Sequence, residues 1–145
     1  MKVSTKGRYA LRMLLDLARH RDGGFIPLKE IAERQKISKL YLEQIVSLLN
    51  TSNILRASRG KQGGYMLAKE PSQYTVGQIL NITEGNMAPV ACLEDETNHC
   101  ERAEFCETLP MWIGLNKVIY EYLNNVTLQD MLDRYKRQNA DNYNI

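Results

Sequence analysis

A chain of 145 residues, 43% of them hydrophobic, can bury one core or a small domain with an appendage, and is too short for several domains. Its formal net charge of +2 hides a division: residues 1–68 hold thirteen Lys and Arg against five Asp and Glu, and residues 69–145 hold six against twelve. A polarity that reverses partway argues against a uniformly basic membrane-surface binder and points to a DNA module followed by a module with another task.

The first predicted element is a helix over Thr5 to His20, with Tyr9, Ala10, Met13, Leu14, Leu17 and Ala18 at helical spacing and Gly23-Gly24 ending it. Arg12, Asp16 and Arg19 interrupt the apolar run, so it is not a signal peptide, and no stretch approaches the roughly 18 apolar residues of a membrane span. The expected location is therefore cytoplasmic. His20 reads as a helix C-terminal residue favoured by the dipole. Phe25-Ile26-Pro27 reads as a short strand, and Leu28, Ile31 and Ala32 mark a short second helix breaking near Gln35 to Ile37. Two helices joined by so short a turn have helix-turn-helix spacing.

The next helix begins at Ser38, a predicted N-cap, and turns Tyr41, Leu42, Ile45, Leu48 and Leu49 to one face. Lys39, Glu43, Gln44, Ser47 and Asn50 are left on the other. Gln44 suits an adenine edge, Glu43 the amino donor of cytosine, and Lys39 a phosphate or guanine. Taken alone, this face also fits an ordinary solvated surface. Behind it, Ile54 to Ser58 and Tyr65 to Ala68 carry strand-type residues around Arg59-Gly60-Lys61-Gln62-Gly63-Gly64, whose two cations suit phosphate or minor-groove contact. Helix, strand, basic turn and strand in this order predict a winged helix-turn-helix.

Thr75-x-x-Gln78 is a capping box opening a helix with Val76, Ile79 and Leu80, closed by Gly85. Asn86 to Glu107 has no periodicity and reads as a long acidic loop. Met111 to Val126 then reads as a long helix with Trp112, Leu115, Ile119, Tyr122 and Leu123 on one stripe, larger than a small winged domain needs to cover. A partner copy's helix is its expected cover, which makes the protein a homodimer and its operator near-palindromic. Thr127-x-x-Asp130 caps a last short helix, and the polar tail from Gln138 is expected to fray. The expected organisation is a DNA-binding region over 1–84, a cysteine loop over 85–108, the dimerisation helix and closing helix over 109–138, and a tail over 139–145.

All three cysteines, Cys92, Cys100 and Cys106, lie in that loop, spaced C-x7-C-x5-C. Clustered thiols in a cytosolic chain point to metal or redox chemistry, and thiolates suit iron-sulfur clusters and zinc. Three unrelated small apolar residues are the plain reading. Glu94, Asp95, Glu96, Glu101, Glu104 and Glu107 surround the thiols, and their charges are expected to raise thiol pKa values. An enzyme is disfavoured, since the chain has no Ser/His/Asp set and no phosphate loop.

The opening MKVSTKGRYALRMLLDLA, the YLEQI helix, the RGKQGGYML wing, the three-cysteine loop and the closing LNNVTLQDML together resemble the IscR-like family of iron-sulfur cluster regulators, which includes NsrR and CymR. The resemblance implies a mainly α, homodimeric winged-helix transcription factor with a long C-terminal dimerisation helix. It implies an iron-sulfur cluster, of [2Fe-2S] type, on Cys92, Cys100 and Cys106. It also implies major-groove contacts from Ser38, Tyr41, Glu43 and Gln44 and a minor-groove contact from Arg59, to which charge adds Lys39 and Lys61. The implied role is control of iron-sulfur biogenesis or related genes, with a cluster-free thiol or partner-binding regulator, for example in cysteine metabolism, as the alternative. Two departures bear on the fourth ligand: the family's histidine three residues after the last cysteine is Leu109 here, and an N-terminal ligating aspartate corresponds to Arg8. His99, Glu101, Glu104 and Glu107 remain as candidates.

Overall fold

Six helices and a two-stranded hairpin make up residues 1–143, which the computed structural model describes: α1 (Thr5–Arg19), α2 (Leu28–Gln35), α3 (Lys39–Thr51), β1 (Leu55–Ser58), β2 (Gly64–Leu67), α4 (Val76–Glu84), α5 (Leu109–Asn125) and α6 (Leu128–Tyr143). The Ser4 hydroxyl caps α1 by accepting from the Gly7 N–H at 3.3 Å. Gly7 is where α1 meets α4, since a Cβ there would collide with the Glu84 carboxylate.

The helix-turn-helix turn is Lys36–Ser38. Lys36 takes the left-handed conformation (φ 53°), Ile37 is 5% exposed and donates to the Ala32 carbonyl, and Ser38 caps α3. The end of α3 repeats the device. Asn53 turns left-handed (φ 57°), and the N–H groups of Asn53 and Ile54 donate to the carbonyls of Asn50 and Leu49, a full Schellman cap. Ile54, expected to open the first strand, is occupied by this cap, so β1 begins one residue later.

β1 and β2 pair antiparallel from Leu55↔Leu67 to Ser58↔Gly64. The predicted segment at Ile26 joins as an isolated bridge to Tyr65, with N···O distances of 2.8 and 2.9 Å in the two directions. Gly64 permits this, because a Cβ there would overlap the Ile26 backbone. The main core joins α1, α2 and α3 to the hairpin and to Leu128 and Leu132 of α6. A second cluster centres on Val76, Leu80, Met87 and Val126, with Ile119, Tyr120 and Leu123 of α5 against it.

Two expectations are corrected. The last helix is not short: α6 runs 16 residues, past Gln138 to Tyr143, stabilised by Gln129 donating to Asp133 at 2.9 Å and by the Arg19 guanidinium 4.9 Å over the Tyr135 ring. Residues 144–145 of the expected tail lie outside the described residues. The single stripe on α5 is two faces: Ile119 and Leu123, with Tyr120, pack on the chain's own core, while Met111, Leu115, Val118 and Tyr122 are exposed. Among the described residues, no helix is long and apolar enough to cross a membrane.

Candidate nucleic-acid interface and cysteine loop

Ser38 stands at the tip of α3, its hydroxyl accepting from the Tyr41 N–H at 3.1 Å. Lys39, Leu40, Glu43, Gln44, Ser47 and Asn50 are exposed, whereas Leu42, Ile45, Val46 and Leu49 are buried. Val46, outside the predicted apolar stripe, also belongs to the core. Leu40, absent from the predicted polar face, is 70% exposed and shares that face with Glu43 and Gln44 at i+3 and i+4. Tyr41 is half-buried, its ring edge-on to Tyr9 with centroids 5.5 Å apart, while the Arg12 guanidinium lies 5.1 Å over Tyr9. Arg12 also donates to the Gln35 side chain at 3.3 Å, so α1 anchors both helices of the motif.

Asp16 strengthens that anchor. It is 1% exposed and accepts from Arg34 and from the Gln35 amide at 2.9 Å. Burial pushes its carboxyl up, but the hydrogen bonds from Arg34 and Gln35 and the charges of Arg34 and His20 outweigh burial and hold it below the ordinary aspartate value of 3.8.

At the wing tip, Arg59, Gly60, Lys61 and Gln62 are exposed. Gly60 has φ 105°, and the Gly63 N–H donates to its carbonyl at 3.0 Å, closing the turn. Among the described residues, neither Arg59 nor Lys61 forms an ion pair. The structure thus brings Lys39, Glu43 and Gln44 to one exposed face of α3 and sets Arg59 and Lys61 on the wing.

The loop between α4 and α5 contains two single turns, Ala91–Leu93 and Ala103–Phe105. Cys92 and Cys100 line a cavity of about 330 Å³ together with Asp95 and His99. Cys100 and Cys106 line a neighbouring one of about 530 Å³ with Arg102, Glu107 and Thr108. Of the fourth-ligand candidates, His99 therefore shares a cavity with two thiols and Glu107 borders the other, while Asp95 is an addition. The Cys106 sulfur lies 3.4 Å from the Thr108 hydroxyl. Hydrogen bonds from the Thr108 side chain and backbone and from the Leu109 backbone, with the Arg102 charge, pull the Cys106 thiol below its ordinary value. That reverses the expected direction for this thiol, because the N–H groups opening α5 meet the sulfur directly while the exposed carboxylates remain solvated.

In chemistry the donor set fits an iron-sulfur centre: three thiols on one segment, two of them beside an imidazole and a carboxylate. In arrangement the set is open. Among the described residues, no three His, Cys, Asp or Glu side chains converge closely enough to hold a metal ion.

Residues 3–134 match the Rrf2 family, described as iron-dependent transcriptional regulators. The regulator IscR of Yersinia enterocolitica is 37% identical over 147 residues, spanning 97% of this chain and 88% of the relative. The regulator CymR of Bacillus subtilis is 40% identical over 131 residues, spanning 90% and 89%. Among solved structures, CymR of B. subtilis, described as the global cysteine regulator, has a TM-score of 0.77 at 35% identity, covering 92% of this chain and 98% of that one. T. potens IscR has a TM-score of 0.73 at 38% identity, covering 93% and 88%.

Proposed function

The chain belongs to the Rrf2 family of DNA-binding transcriptional regulators and is not an enzyme, and from that premise we propose that it is a cytoplasmic homodimer that senses iron-sulfur cluster status. Residues 1–84 form the DNA-binding region, 85–108 the sensing loop and 109–138 the dimerisation segment. Ser38, Lys39, Tyr41, Glu43 and Gln44 address the major groove of a near-palindromic operator, Arg59 enters the minor groove, and Lys61 neutralises phosphate. Cys92, Cys100 and Cys106 hold the cluster, a [2Fe-2S] centre, with His99 or Asp95 as fourth donor. When bound, such a cluster supplies an oxygen-sensitive redox centre. The chain's own contribution is coupling: a cluster-bound Cys106 thiolate could still accept the Thr108 hydrogen bond at the start of α5, so the cluster ligand and that helix would stay linked.

The observation that carries this reading is that every cysteine of the chain lies between α4, which packs on α1 of the DNA module, and α5. Anaerobic purification tests it. A brown protein with iron and sulfide bound, and different affinities of loaded and cluster-free forms for the same DNA fragments, are expected.

The second reading is a cluster-free regulator that uses the thiols as a redox switch or the loop as a partner surface. What favours it is that no single cavity is lined by all three cysteines, Cys92 and Cys106 bordering different ones, together with the likeness to the cysteine regulator CymR. A colourless protein that binds DNA but takes up no iron under anaerobic loading would select it.

A further inference from the structure

Leu40 is the second residue of α3 and 70% exposed, on a face otherwise made of polar side chains. Helical side chains lean toward the N-terminus, so Leu40 covers the tip of the helix one turn ahead of Glu43 and Gln44. The main core takes Leu42, Ile45, Val46 and Leu49 from this helix and leaves Leu40 outside. The approach to DNA at this point is favourable in charge: α3 has no acidic residue in its first turn, Lys39 adjoins Leu40, and the helix N-terminus carries the positive end of the dipole. An apolar side chain delivered into a major groove beside two base-reading groups meets one apolar feature on the base edges, the C5 methyl of thymine.

We infer that Leu40 is a specificity-determining residue that reads a thymine methyl in each half-site, next to the base pairs addressed by Glu43 and Gln44. This rests on the DNA reading above and adds a contact to it. The selectivity arises because burying the methyl against Leu40 removes apolar surface from water on both sides, which no other base at that position reproduces. Alanine at position 40 keeps the helix and its Ser38 cap but cannot reach the methyl.

The test selects binding sites from a random DNA library with the wild-type protein and with Leu40→Ala, then replaces each selected thymine by deoxyuridine, which pairs identically but lacks the methyl. Wild type is expected to require thymine at one position per half-site and to lose about threefold to fivefold in affinity per half-site on the deoxyuridine change. Leu40→Ala is expected to accept any base there, to be indifferent to deoxyuridine, and to keep the preferences set by Glu43 and Gln44. Leu40→Met, which retains an apolar tip, is expected to keep the methyl dependence. Equal deoxyuridine sensitivity in wild type and Leu40→Ala, or unchanged selected sites, would overturn the inference and leave the DNA reading intact. Failure of wild type to enrich any sequence would remove both.

Discussion

Arg34 of α2 clasps the buried Asp16 of α1, donating from Nη2 to Oδ1 at 2.7 Å and from Nε to Oδ2 at 3.0 Å and Oδ1 at 3.3 Å. The clasp joins α1 to the end of α2 immediately before the turn that leads into α3. Arg34→Ala should cost about 1–3 kcal/mol, less than a wholly buried pair because a third of the Arg34 side chain stays solvated. The folded carboxyl titrates below its unfolded value, so its stabilisation is present above pH 3.8 and lost as pH falls through and below it. Thermal unfolding of wild type and Asp16→Asn between pH 7 and pH 3 should show the acid-side loss shrinking in the variant. Parallel curves would contradict this.

Lys36 holds a left-handed backbone angle that favours glycine, in the turn between α2 and α3. Lys36→Gly should therefore stabilise the fold by about 0.5–1 kcal/mol, relief of left-handed strain exceeding the added freedom of the unfolded chain. A lower melting temperature for the variant would be the opposite of what the turn geometry requires.

Affinity for DNA should fall steeply with salt, with a slope of about −0.9 per phosphate neutralised. Arg59→Ala should weaken binding most where the sequence under the wing is A/T-rich. Glu43→Ala should relax discrimination between sites, because an acid near phosphate is tolerable only where it rejects wrong bases. Fluorescence anisotropy against specific and scrambled fragments at several salt concentrations measures all three effects. Uniform tightening by Glu43→Ala would remove its selective role.

The exposed face of α5 repeats at intervals of four and three residues through Met111, Leu115, Val118 and Tyr122, the spacing of a helix-helix seam. Val118→Asp should give folded monomers that bind an operator poorly, visible as halved mass in sedimentation with unchanged circular dichroism. Ile119→Asp should instead damage the fold, since Ile119 packs in the second core cluster. A dimeric Val118→Asp protein would place the interface elsewhere.

Replacing any one of Cys92, Cys100 and Cys106 with Ala should abolish stable cluster loading without unfolding the chain, because none belongs to either core cluster. Loss of the cluster in His99→Ala but not Asp95→Asn would identify the imidazole as fourth donor, and the reverse the carboxylate. Full iron and sulfide in Cys92→Ala, measured anaerobically, would rule that cysteine out.

The helices and the wing were legible because each is set by local chemistry: Ser38 and Thr75 cap where hydroxyls precede apolar periods, and Thr127 with Asp130 closes a reciprocal box. The charge reversal after residue 68 and the confinement of the thiols to one loop are also properties of the sequence alone. Tertiary packing decided what periodicity could not. Asp16 looks like a solvated interruption of a helix until α2 brings Arg34 and Gln35 to it, and Leu115 and Ile119 share a stripe until α4 covers only one of them. The direction of the Cys106 shift likewise depended on Thr108 and Leu109 presenting hydrogen-bond donors at the start of α5. A helical repeat specifies which side chains share a face, but the neighbour that removes a face from water is chosen by contacts between segments distant in sequence, and burial and ionisation follow those contacts.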